Sequence, residues 1–153
     1  MAILINKILD EVRVLGCSDL HFTNGINPVV RLNGQLRKMS GYEEMNEEGI
    51  LEIVEQMTNE QQRRSIAQHK DTDFSFTTRS GYRHRVNVFF QRGFTAIAIR
   101  LLRNDIPTLE DLFLPPILGE FAMRPRGLVL VTGPTGSGKS TTLAGEVGHV
   151  HAH

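Results

Sequence analysis

Cysteine is nearly missing from this chain. Cys17 is the only one in 153 residues, so no internal disulfide can form. A buried thiol in a reducing compartment is the state this implies. Net charge is missing as well, because 17 Lys and Arg balance 17 Asp and Glu. That removes any general electrostatic attraction to acidic membranes, and no nucleic-acid partner is expected. No apolar run approaches the length needed to cross a bilayer. A secretory signal is also lacking, since Asn6, Lys7, Asp10 and Glu11 interrupt the N-terminus. These shortages together predict a cytosolic location. No internal repeat or low-complexity segment is evident. What remains is an ordinary globular composition, 40% hydrophobic and 22% charged, at a length suited to one compact domain with an appendage.

The most informative stretch is Gly133-Pro134-Thr135-Gly136-Ser137-Gly138-Lys139-Ser140, which follows the apolar run Gly127-Leu128-Val129-Leu130-Val131-Thr132. A short strand entering a glycine-rich turn and then a helix is the phosphate-binding loop in the context it requires. The glycines let the backbone curl so that several N–H groups point inward at a triphosphate. Lys139 can reach the β- and γ-phosphates as a point charge, and the Ser140 hydroxyl is placed to ligate Mg²⁺. Thr141 and Thr142 open the following helix, whose N-terminus carries positive partial charge. The nucleotide-binding residues are therefore Gly133 to Thr141, the ligands ATP and Mg²⁺. A glycine-rich turn with an incidental lysine is the bland alternative, and eight matching positions leave it little room. Thirteen residues follow Ser140. A P-loop domain needs further parallel strands, one with an acidic residue for the metal. The chain is thus expected to hold the start of a nucleotide site and to lack appreciable ATPase activity alone.

Read in order, the chain starts with Ile5, Ile8, Leu9, Val12 and Leu15 at helical spacing, which predicts a helix from about Ile3 to Leu15, stopped by Gly16. Asp19 to Met39 predicts a three-stranded meander, with a hairpin turning at Asn33-Gly34. Ile50, Leu51, Ile53, Val54 and Met57 form the stripe of a second helix. Thr58 with Gln61 resembles a capping box for a third helix reaching about His69. Three more strands follow, around Asp73–Thr77, Tyr82–Phe90 and Phe94–Leu102. This order predicts an α+β domain with an antiparallel sheet and helices against one face. From Asp105 the composition shifts toward proline, as in a linker with a short helix capped by Thr108. A helix near Ile117 to Met123 precedes the phosphate-loop strand.

Several of these residues carry a family resemblance. Ser18-Asp19-Leu20-His21-Phe22, Gly25, Pro28, Arg31, Gly34, Asp73-Phe74-Ser75-Phe76, Arg85-Val86-Asn87, Arg100, Pro107-Thr108-Leu109-Glu110 and the block from Arg126 to Ala144 resemble the twitching-motility retraction ATPases (PilT-like). These belong to the type II/type IV secretion ATPase superfamily. The resemblance covers residues 1 to about 144. It implies a PAS-like N-terminal domain over 1–102, a linker over 103–116, and the truncated start of a RecA-like ATPase domain over 117–153. It further implies a cytoplasmic hexamer at the inner face of the membrane, working with the platform proteins of a pilus machine. The start of the chain directly at the first domain favours a retraction motor over pilus-assembly or type II secretion relatives.

By the same resemblance, arginines of the N-terminal domain approach the γ-phosphate, and Arg85 and Arg100 occupy the matching positions. Two guanidiniums on adjacent strands would neutralise charge developing on the phosphoryl group, as an arginine finger does. Solvated strand arginines are the plainer reading of the residues by themselves. The family's acidic box, metal-binding acidic strand and histidine box do not follow the loop. Residues 145–153, with two glycines and no apolar stripe, are expected not to continue a helix and to form a truncated or frame-altered tail. His149, His151 and His153 would share one face of a strand as a weak metal site, against a disordered tail as the simpler outcome. His21 and His84 read as structural or surface histidines, and Glu43, Glu44, Glu47 and Glu48 as a solvated helix start. Two function classes stand: part of an ATP-hydrolysing pilus motor, or a non-catalytic assembly module with a vestigial phosphate loop.

Overall fold

The computed structural model describes residues 3–103 and 106–152. The chain divides into two compact units, Met1–Arg103 and Asn104–His153. In the first, helix α1 (Ile5–Val14) is followed by strands β1 (Asp19–Phe22), β2 (Val29–Leu32) and β3 (Gln35–Lys38). Helices α2 (Glu47–Met57) and α3 (Glu60–Ala67) come next, then β4 (Thr72–Thr77), β5 (Arg83–Gln91) and β6 (Phe94–Leu101). The α+β class with an antiparallel sheet is as the sequence predicts. The two meanders belong to one sheet. β1 pairs with β6, giving one six-stranded sheet in the order β3-β2-β1-β6-β5-β4.

Local chemistry accounts for most of the boundaries. Asn33 (φ 50°) and Gly34 (φ 77°) both take positive φ in the β2–β3 turn, as a two-residue type I′ hairpin requires. The cap of α3 differs from the Thr58–Gln61 pair by one residue. The Asn59 side chain accepts from the Gln62 N–H at 2.9 Å, and the Gln62 side chain accepts from the Asn59 N–H at 2.9 Å. Thr58 is occupied elsewhere, its hydroxyl donating to the Val54 carbonyl at 2.7 Å. The helix ends at Ala67, short of His69, which lies at φ 55°.

The core lies on one face of the sheet. α1 supplies Ile5, Ile8, Leu9 and Val12, and α2 supplies Ile50, Ile53, Val54 and Met57. They pack with Leu20, Phe22, Val86, Val88, Ile97 and Ile99, every second residue of their strands. The acidic cluster is more than a solvated helix start. Glu47 accepts from both the N–H and the hydroxyl of Thr95, tying α2 to β6. Cys17 is buried and free, and burial pushes its thiol pKa up.

The second unit contains α4 (Ile117–Ala122) and α5 (Lys139–Ala152). Helix α5 corrects the expectation of a non-helical tail over 145–153, of which His153 lies outside the described residues. The reason is packing. Gly145 is buried, and a Cβ there would meet Leu109 Cδ2, Leu112 Cδ1 and the Pro107 carbonyl oxygen at 3.3 Å. The glycines that weaken an isolated helix thus allow α5 to approach the 106–112 segment closely. The described part of the expected linker is accordingly folded. Leu109 is buried, and a turn closes where the Thr108 N–H donates to Asp111 and the Asp111 N–H donates to Thr108 Oγ1. Asp105 lies outside the described residues. The strand expected over 127–132 is a second correction. The run joins no ladder, and Leu128 and Leu130 are 83% and 76% exposed. A β-strand is defined by its neighbours, and among the described residues none pairs with this one.

One core residue makes the first unit sensitive to acid. His84 is fully buried, and Arg13 Nη2 lies 3.2 Å from its Nε2. Burial, with the Arg13 charge adding to it, pushes the His84 pKa below the ordinary 6.5. The unfolded chain therefore binds a proton that the folded one refuses, and stability falls as pH drops below about 6.5. Thermal melting should show a lower Tm at pH 5 than at pH 7.5. His84→Gln, which keeps an acceptor for Arg13 but does not titrate, should reduce that dependence.

Candidate functional site

Gly133 to Ser140 curls directly into the N-terminus of α5. The turn needs its glycines: Gly136 (φ 82°) and Gly138 (φ 95°) are left-handed, and a Cβ on Gly133 would lie 2.7 Å from Ser137 Oγ. The Ser137 hydroxyl donates to the Pro134 carbonyl at 2.6 Å and locks the loop from inside. The Lys139 ammonium donates to the carbonyls of Gly133 at 2.6 Å and Pro134 at 2.9 Å, so it is held over the concavity. Ser140 and Thr141 stand exposed in the first turn of α5, and Thr135 is exposed on the loop. First-turn acids, which would repel an anion, are absent from α5. A loop with no room for a Cβ at Gly133, a lysine over its mouth and a helix N-terminus behind it fit a polyphosphate. Ser140 is the residue that would hold Mg²⁺. Among the described residues no three His, Cys, Asp or Glu side chains gather into a metal cluster. His149 and His151 are two residues apart on a helix, about 200° around it, so the shared strand face expected for them does not exist.

The second constellation lies in the first unit, on the sheet face opposite the core. Arg85 on β5 is directly opposite Arg100 on β6. Arg100 is opposite Asp19 on β1, and Asp19 is opposite Arg31 on β2. Residues paired in this way share a face, so one row carries two adjacent arginines, an aspartate and a third arginine. Arg100 Nε donates to Asp19 Oδ1 at 3.2 Å, and Arg31 Nε lies 3.5 Å from Asp19 Oδ2. The Ser18 hydroxyl donates to Asp19 Oδ2 at 2.8 Å. Burial would raise the Asp19 pKa, but the Ser18 hydrogen bond and the Arg100 guanidinium outweigh it and hold the carboxyl below its ordinary value. Arg85 is exposed and makes no ion pair among the described residues.

His21 sits in the next row, on the same face as Asp19. Burial, with Arg31 and Arg100 adding to it, lowers its pKa against the opposing pull of Asp19. A neutral imidazole beside the arginines is the result.

Sequence reasoning singled out Arg85 and Arg100 but missed Asp19 as their neighbour. The alternation of Asp19 and His21 with the apolar Leu20 and Phe22 was the available signal for its face. Nothing local reveals that β6 lies next to β1.

Residues 1–153 match the family described as Type II/IV secretion system protein. The chain belongs to this family. Among curated relatives, it is 40% identical over 143 residues to the type IV pilus ATPase PilU of Pseudomonas aeruginosa, covering 94% of the chain and 37% of PilU. It is 36% identical over 140 residues to the type IV pilus retraction ATPase PilT of the same organism, covering 92% and 40%. A crystal structure of the pilus retraction motor PilT with bound ADP superposes with a TM-score of 0.84 at 38% identity, covering 97% of this chain and 43% of that one. The chain thus spans about two fifths of these relatives. Among the described residues, no helix is long and apolar enough to cross a membrane.

Gly133→Ala places a methyl against Ser137 and should open the loop. Calorimetric titration with Mg·ATP should then show affinity reduced by about tenfold or more, about 1.4 kcal/mol. Unchanged affinity would mean that the loop is not the phosphate cradle.

Proposed function

We propose that this chain is the N-terminal part of a hexameric, ATP-hydrolysing motor that powers type IV pilus retraction. The observation that carries the reading is the formed phosphate loop, with Lys139 held over it and α5 starting at its base. In this reading Gly133 to Thr141 bind the phosphates of ATP, and Ser140 ligates Mg²⁺. Arg85 and Arg100 supply positive charge to the γ-phosphate as it is transferred. The adjacency of the two arginines supports this role, because like charges placed opposite each other cost stability in a sheet. The motor acts from the cytoplasmic face of the inner membrane on the platform proteins of the pilus. Retraction rather than assembly is supported by the retraction ATPase PilT among the relatives and solved structures.

The division of labour follows from the chemistry. Backbone N–H groups and Lys139 bind ground-state phosphates, whereas guanidiniums stabilise charge that grows in the transition state. Arg85→Ala and Arg100→Ala in the full-length protein should each lower steady-state ATP turnover by about 10³-fold, with nucleotide affinity changed much less. Lysine at either position should not restore the rate, since an ammonium lacks the planar pair of donors. Parental turnover in both alanine variants would make the first unit a docking module instead.

A further inference from the structure

Arg100 is a long, flexible side chain, 70% exposed, on an open sheet face. Such a side chain loses much of its rotamer freedom when it is fixed, and that loss weakens any contact it must make on demand. Something has to hold it beforehand if it is to serve a reacting phosphate. The best-placed group is Asp19, whose side chain is only 12% exposed. Its carboxylate is itself fixed by the Ser18 hydroxyl and by Arg31. The hydrogen bond from Arg100 to Asp19 runs through Nε, not through the terminal amino groups that would form a bidentate fork to phosphate. The same negative charge lies on the far side of Arg100 from Arg85 and offsets the repulsion between the two arginines.

We infer that Asp19 is a positioning residue: it holds Arg100 by its Nε edge, in register with Arg85, so that both guanidiniums are directed to an incoming phosphate. This rests on the reading of Arg85 and Arg100 given above. An ion pair so exposed on its arginine side adds little to stability, so its value lies in geometry. Arg31 takes the other carboxylate oxygen and keeps Asp19 from turning away.

The test pairs a spectroscopic readout on this chain with turnover by the full-length ATPase. In the ¹⁵N-labelled chain, the Arg100 Nε–Hε resonance, assigned by its loss in Arg100→Ala, should be protected from solvent exchange. Asp19→Asn and Asp19→Ala should speed that exchange by about tenfold or more. In the full-length protein, Asp19→Asn should lower kcat by about 100-fold, the cost of a guanidinium misplaced by about 1 Å, and leave KM for ATP little changed. The double variant Asp19→Asn, Arg100→Ala should be no slower than Arg100→Ala alone, because removing the holder costs nothing once the held group is gone. Losses that multiply in the double variant, or exchange unchanged in both Asp19 variants, would overturn the inference. Parental kcat in Asp19→Asn beside a slow Arg100→Ala would overturn it while sparing the arginine reading. Parental turnover in Arg100→Ala would defeat the arginine reading itself.

Discussion

The pairing of β1 with β6 is the constraint on which the first unit depends. It joins residues 19–22 to residues 97–100, far apart in the chain, and fuses two local meanders into one sheet. Each meander by itself has only three strands and one apolar face. Joined, they offer α1 and α2 a continuous surface in which Leu20 and Phe22 lie beside Ile97 and Ile99. Burial of that surface is the main favourable term in the unit. The same pairing sets Arg100 against Asp19 on the opposite face. Core and charge row are therefore two sides of one register. A slip of one residue would exchange them.

Electrostatics on the open face follows from that register. Three arginines in one row would repel, and the single carboxylate among them is shielded enough to be effective. Its depressed pKa expresses the same balance: the ionised form is favoured by its neighbours more than burial disfavours it. The row holds an excess of positive charge in a chain whose net charge is zero. A local excess of this kind suits a small, highly charged anion better than an extended polyanion, which would need a basic surface over many residues.

The phosphate loop obeys a different rule. Its curl is held by contacts within eight residues, namely left-handed glycines, the Ser137 hydroxyl and the Lys139 ammonium. It forms although the apolar run before it pairs with no strand among the described residues. A nest of backbone N–H groups is local, whereas a strand is a relation between segments. This difference explains why one half of the motif is formed and the other joins no sheet.

Read as a string, the sequence already determined the phosphate loop, the Asn33-Gly34 hairpin, the amphipathic stripes of α1 and α2, and the α+β class. Each of these depends on residues within a few positions of one another, where spacing and φ preference decide. It also marked Arg85 and Arg100, but through family resemblance and not through geometry. Tertiary structure alone decided the β1–β6 junction, the place of Asp19 between Arg31 and Arg100, and the continuation of α5 over residues 145–152. In that helix local propensity pointed the other way, and Gly145 became an asset only once Leu109 and Leu112 were packed against it. The physical reason is common to all three: their energies come from contacts between residues distant in the chain, and such contacts leave no periodic trace in the sequence.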